Sequence, residues 1–138
     1  MKQTINTRNG DITFEEKTFF PGSKTLVIET ATKNLLDVKN ILDAHNVKFG
    51  LIYGTLLGAI RENNFIKHDE DIDLFVLDEY KEDLLAILHK FINCGFEVIR
   101  YDKKLLSISR DNEYIDFYFF KKINYFYRKC EVGLIAKA

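Results

Sequence analysis

The chain of 138 residues has no tryptophan, a single proline and two cysteines. One proline leaves no room for a proline-rich linker, and neither an internal repeat nor a low-complexity segment is present. Cys94 and Cys130 match no CxxC or zinc-ligand spacing. Two free, buried thiols in a reducing cytosol are expected of them, with one disulfide as the alternative. No stretch approaches the roughly 20 apolar residues of a membrane span. The start of the chain, Met1 to Asn6, lacks the apolar core of a signal peptide. A soluble, cytoplasmic protein with no membrane span is therefore expected. Charge of one sign is also missing, since 20 basic and 21 acidic side chains leave a formal charge of −1. Proteins that grip nucleic acid through its phosphates normally carry a basic excess, so no DNA or RNA partner is expected.

What is present is an ordinary globular composition, 46% hydrophobic and 14% aromatic. The length fits one domain over residues 1–138, large enough to bury a core without staples. Residues 1–22 read as an N-terminal arm or edge element. Asn9-Gly10 and Pro21-Gly22 mark turns there, and Ile12 and Phe14 alternate as in a short strand. From Thr30 to Asn46, Leu35, Val38, Leu42 and His45 recur at helical steps beside Ile41, so His45 is expected to be structural. Phe49 to Tyr53 reads as a buried strand ended by Gly54. Thr55 to Arg61 then opens a short helix with Leu56, Leu57 and Ile60 facing inward, broken at Asn63-Asn64.

Asp71 to Leu77 suits a second strand. Asp78 is the expected N-cap of a helix reaching Asn93, with Gly95 just past its end. Strands follow at Phe96–Tyr101, Leu105–Arg110 and Tyr114–Phe120, separated by turns at 102–104 and 111–113. Lys121 to Ala138 has no clear pattern. The order predicts an α+β (mixed α/β) fold with helices against a sheet.

The chemistry concentrates in Gly54 to Arg61 and Asp69 to Asp73. Asp71 and Asp73 fall on one side of a strand whose other side, Ile72 and Leu74, is apolar. Two adjacent carboxylates beside a core are costly unless a cation neutralises them, and Mg²⁺ or Mn²⁺ takes such oxygens. Asp116 sits alone in an otherwise hydrophobic strand and needs a partner, either the same metal or a basic side chain. An EF-hand reading of Asp69, Asp71 and Asp73 fails, because Leu74 stands at the glycine position and Tyr80 at the glutamate position. Gly54 and Thr55 lie where a strand meets a helix. Free N–H groups there donate to a phosphate, with Thr55 adding a hydroxyl; a plain turn and cap is the other reading.

Gly54-Thr55, Asp71-x-Asp73 and a later strand Asp resemble the nucleotidyltransferase-fold signature. More narrowly, residues 53–76, YGTLLGAIRENNFIKHDEDIDLFV, resemble the LicD family, which includes phosphocholine transferases and fukutin-type phosphoalditol transferases. The resemblance implies a nucleotidyltransferase-like fold, a small mixed sheet flanked by helices. It implies Asp71, Asp73 and Asp116 as catalytic metal ligands, with Asp69 matching a further acidic position. Gly54, Thr55 and Arg61 would bind the donor phosphate. The reaction implied moves a phosphate-linked group from a nucleotide-activated donor, commonly of CDP type, to a sugar or glycan hydroxyl. The alternatives are transfer of the nucleotide itself and a nucleotide-binding remnant without turnover.

Two departures stand out. LicD-type proteins usually carry a tryptophan before the acidic cluster, where this chain has His68, and longer members continue well past the third Asp. Arg110 is a further basic residue with no assigned geometry. Aromatic residues at 117–120 and 125–127 are expected in a core or an interface, and they permit a homodimer.

Overall fold

A computed structural model describes residues 1–18, 24–66, 69–122, 127–130 and 135–137, and side chains up to Lys121. The expected Pro21-Gly22 turn, His68, Tyr125, Phe126 and the thiol of Cys130 lie outside the described residues and side chains.

The chain opens as a hairpin of β1 (Lys2–Thr7) and β2 (Gly10–Glu15), closed by the Arg8-Asn9 turn. Gly10 takes φ +116°, which its missing Cβ permits. Ile5 and Phe14 enter the main core, while Arg8 pairs with Asp83 and Asn9 Nδ2 donates to the Ala86 carbonyl. The first 15 residues are thus anchored on the body of the protein.

Among the described residues the main sheet runs β3 (Gly50–Leu51), β4 (Ile72–Leu77), β7 (Glu113–Lys122), β6 (Leu105–Arg110), β5 (Glu97–Tyr101). Two further strands, β8 (Tyr127–Cys130) and β9 (Ile135–Lys137), extend from β7. Among the described residues only the β4–β7 pairing is parallel, so the sheet is mixed. The β6–β7 turn is Asp111-Asn112, both at positive φ, as a tight two-residue hairpin demands.

One sheet face is apolar. Ile72, Leu74 and Val76 of β4 and Ile115 and Phe117 of β7 are fully buried on it. The helices α1 (Ile28–Ala44), α3 (Lys81–Ala86) and α4 (Leu88–Asn93) supply the cover. Phe91 of α4, for instance, lies 6.1 Å from Phe117.

Several expectations are corrected. The stripe that α1 buries is Ala31, Asn34, Val38 and Leu42, and His45 is an exposed C-cap residue. Asn34 replaces an apolar residue because it holds Arg110, accepting from Nε at 2.9 Å and donating to the Arg110 carbonyl at 3.0 Å. Arg110 also donates to Asp37 and to the Cys94 carbonyl and stacks on Phe96. It is a structural clamp, with all three guanidinium nitrogens already donating and its side chain 9% exposed. Asp78 makes no side-chain cap; a 3-10 turn at Asp78–Tyr80 precedes α3, and a break at Ile87 splits the expected long helix. Cys94 is exposed at the end of α4, so it is not a buried thiol.

The helix α2 (Tyr53–Arg61) faces the opposite way from expectation. Leu56, Leu57 and Ile60 are exposed, and the buried residues are Thr55 and Gly58. The helix lies so close to its neighbours that only small side chains fit beneath it. A Cβ on Gly58 would fall 2.5 Å from the Asn64 carbonyl oxygen and 3.0 Å from the Ile66 nitrogen. Both are backbone atoms that cannot swing aside. Gly58→Ala is therefore expected to destabilise the protein by about 1–3 kcal/mol, read from urea denaturation.

Candidate active site

The sheet face opposite the core helices carries the polar residues. The parallel register sets Asp73 of β4 directly beside Asp116 of β7. Asp71 sits just ahead of β4, and one carboxylate oxygen from each of Asp71, Asp73 and Asp116 falls within a mutual 4.8 Å. Asp73 and Asp116 are buried and Asp71 is half-buried. Parallel pairing of two strands some forty residues apart is what brings these acids together.

Main-chain bonds fix β4 at this point. The Asp73 N–H donates to Thr55 Oγ1 at 2.8 Å, and the Asp73 carbonyl accepts from the Ile52 N–H at 3.1 Å. Thr55 is 2% exposed, and its hydroxyl orients the acid from beneath α2. Gly54 lies in the first turn of α2, against Asp69. A Cβ there would fall 2.6 Å from Asp69 Oδ2, so the glycine makes space for that carboxylate. Asp69 is itself held by its carbonyl, which accepts from the Leu26 N–H at 2.8 Å. Arg61 is exposed at the far end of α2. Seven residues of helix, about 10 Å, separate it from Gly54, and six, about 9 Å, from Thr55. The structure thus brings Gly54, Thr55 and Asp69 to the acid trio and leaves Arg61 apart.

Burial is the largest influence on these acids. It raises the Asp71 carboxyl to about 9 and that of Asp73 to about 7, with repulsion among the neighbouring carboxylates adding to it. Burial also raises Asp69. The phenols of Tyr114 and Tyr118, on the same face of β7 as Asp116, are pushed up by burial and by these carboxylates and stay neutral. The Tyr53 ring meets Tyr118 edge-on at 5.0 Å and walls the site. Tyr53 also holds φ +52°, an unusual conformation for a bulky residue, at the turn that aims α2.

Asp116 has a basic partner, one of the two readings left open for it. Ser107 Oγ donates to its Oδ1 at 2.5 Å, and Arg100 Nη2 reaches the same oxygen at 3.3 Å. Neither Ser107 nor Arg100 was apparent as a site residue in the sequence. A lone serine within Leu105–Ile108 was the available signal for Ser107; Arg100 gave none.

The trio fits a divalent cation. Asp73 Oδ1 is buried with no hydrogen-bond partner, as is Asp69 Oδ2. An ionised carboxylate oxygen is rarely buried unpaired, and three converging carboxylates form the hard, all-oxygen donor set that Mg²⁺ or Mn²⁺ takes.

The mixed sheet and the placement of the acids define a nucleotidyltransferase-like fold. Solved structures of ANT(2″)-Ia share it. One, in complex with adenylyl-2″-tobramycin, aligns at TM-score 0.55 and 19% identity over 72% of this chain and 56% of that one. A solution structure of the same antibiotic-resistance factor aligns at TM-score 0.61 and 16% identity over 80% and 63%. Within that fold the chain belongs to the LicD/FKTN/FKRP family, whose nucleotidyltransferase domain matches residues 46–132. The class so defined is the nucleotidyltransferase domain of that family. Curated relatives include the uncharacterized protein RP689 of Rickettsia prowazekii, 34% identical over 77 residues, which are 56% of this chain and 28% of that protein. RT0683 of Rickettsia typhi is 32% identical over 62 residues, 45% of this chain and 20% of that protein. The matched part thus spans less than a third of either relative. Among the described residues no helix is long and apolar enough to cross a membrane.

Proposed function

We propose that this domain transfers a phosphate-linked group, of phosphocholine or phosphoalditol type, from a CDP-activated donor to a sugar or glycan hydroxyl in the cytoplasm. The observation that carries the reading is the convergence of Asp71, Asp73 and Asp116 around the unpartnered Asp73 Oδ1 in a LicD-family chain. These three residues would hold Mg²⁺ or Mn²⁺, with Asp69 beside them. A cation held there supplies charge neutralisation at the donor phosphates and lowers the pKa of the attacking hydroxyl.

The chain's own groups then have distinct roles. The first turn of α2 at Gly54 presents backbone N–H groups to phosphate oxygen. Thr55 keeps Asp73 in place through the main chain. Tyr53 and Tyr118 exclude water from one flank. A carboxylate of the trio accepts the proton of the acceptor hydroxyl as its oxygen bonds to the donor phosphorus and CMP departs. Arg61, exposed and distant, is assigned to the outer part of the donor or acceptor.

A second reading is transfer of a nucleotide with release of pyrophosphate. It is favoured by the fold shared with ANT(2″)-Ia, one structure of which holds an adenylylated aminoglycoside. Thermal stability separates the two. The protein is heated with and without Mg²⁺ or Mn²⁺ in the presence of CTP, CDP-choline, CDP-glycerol, CDP-ribitol, ATP or UTP. A metal-dependent rise in Tm selective for one CDP-linked compound is expected, since a ligand of the folded state stabilises it by mass action. At a ligand concentration 100 times Kd the stabilisation is about 2.7 kcal/mol. A shift confined to plain triphosphates would favour nucleotidyl transfer. No shift with any pair would contradict both readings.

A further inference from the structure

We propose that Arg100 is a binding residue for the donor's diphosphate, held against Asp116 until ligand arrives. The inference rests on the donor reading above and goes beyond it, since neither the motif nor the metal ligands include this residue.

The geometry begins with the sheet. Four strands place one residue each in a single cross-strand row: Arg100 opposite Ser107, Ser107 opposite Asp116, and Asp116 beside Asp73. Arg100 enters this row only because β5 carries a bulge between Val98 and Arg100. Val98 pairs with Ile108, so regular pairing would set Ile99 opposite Ser107. The extra residue moves Ile99 out of the row, where it is 1% exposed, and sets Arg100 on the polar face. Bulges re-aim side chains in this way, frequently beside active sites.

The contacts of Arg100 are those of a side chain that can leave. Both its hydrogen bonds are long, Nε to Ser107 Oγ at 3.3 Å and Nη2 to Asp116 Oδ1 at 3.3 Å. Its side chain is 40% exposed, whereas Asp116 is 3% exposed. A guanidinium has five N–H donors, and these two bonds occupy two of them. Among the described residues the remaining donors make no further hydrogen bond, and the half-exposed side chain leaves them available to an anion beside the acid cluster. Ser107, with its 2.5 Å bond, keeps Asp116 oriented whether or not Arg100 stays. A divalent cation on Asp116 would repel the guanidinium from that oxygen. The phosphate oxygens that follow the cation offer a forked partner of matching shape.

Calorimetry with inorganic pyrophosphate in the presence of Mg²⁺ tests this without any acceptor, and titration with Mn²⁺ alone supplies the second readout. Arg100→Met is expected to weaken pyrophosphate binding at least tenfold while leaving Mn²⁺ affinity unchanged or higher, because a competing cation has gone. Arg100→Lys, which keeps the charge but not the fork, is expected to fall between. Wild-type pyrophosphate affinity in Arg100→Met would overturn the proposal, and so would equal losses of Mn²⁺ and pyrophosphate affinity. The former leaves the donor reading standing. Failure of the wild-type protein to bind pyrophosphate with Mg²⁺ would remove both.

Discussion

Asp73→Asn is expected to abolish turnover while making the metal-free protein more stable. The loss follows from the proposed metal site. A catalytic cation contributes several kcal/mol at the transition state, and at 1.36 kcal/mol per decade that corresponds to about a thousandfold or more. The fold has no need of the carboxylate. What ties Asp73 into the structure is its main chain, through Thr55 Oγ1 and the Ile52 N–H, and Asn keeps both bonds. Asn also removes a buried charge beside Asp71 and Asp116. Because burial holds the Asp73 carboxyl near 7, the gain at pH 8 is on the order of 1–3 kcal/mol. Donor consumption and denaturant unfolding, measured on the same preparation, check both halves. A folded variant with wild-type turnover would remove Asp73 from the mechanism.

The second large effect is on pH dependence in the absence of metal. The carboxyls of Asp71 and Asp73 titrate near 9 and 7 in the folded protein and near 3.8 when unfolded. The folded state therefore binds more protons than the unfolded state between these values. Stability from these groups is fully present below about pH 4 and is lost as pH rises through 7 and then 9. In EDTA the protein is expected to lose a few kcal/mol between pH 5 and pH 9 from this source. Mg²⁺ or Mn²⁺ should restore most of that loss at pH 8 to 9 and little of it at pH 5, since the cation competes with the protons. Equal stability in EDTA at pH 6 and pH 9 would contradict the arrangement of the acids.

The acid trio was legible in the sequence because its signals are local. Strand alternation sets Asp71 and Asp73 on one side, and a charged residue within Tyr114–Phe120 stands out against its neighbours. That Asp116 pairs with Asp73 needed the parallel register, which no local pattern encodes. The strands β5 to β7 were legible from their turns, as Asp102 and the Asp111-Asn112 pair close them with specific backbone geometry.

The orientation of α2 was not legible. Helical spacing shows that Leu56, Leu57 and Ile60 share a region of the surface, but it does not show which side meets the sheet. The close approach of the backbone decided that, burying Thr55 and Gly58 and leaving the larger side chains outside. The same limit applies to Arg100. A bulge shifts the alternation by one residue, and Phe96 to Tyr101 gives no sign of it.

The most direct test of the account is titration of the purified protein with Mn²⁺ at pH 8, followed by calorimetry, for the wild type and for Asp73→Asn and Asp116→Asn. Saturable Mn²⁺ binding by the wild type, weakened at least tenfold in each variant, is the predicted result. No binding by the wild type, or binding that both variants retain unchanged, would contradict a metal centre at Asp71, Asp73 and Asp116.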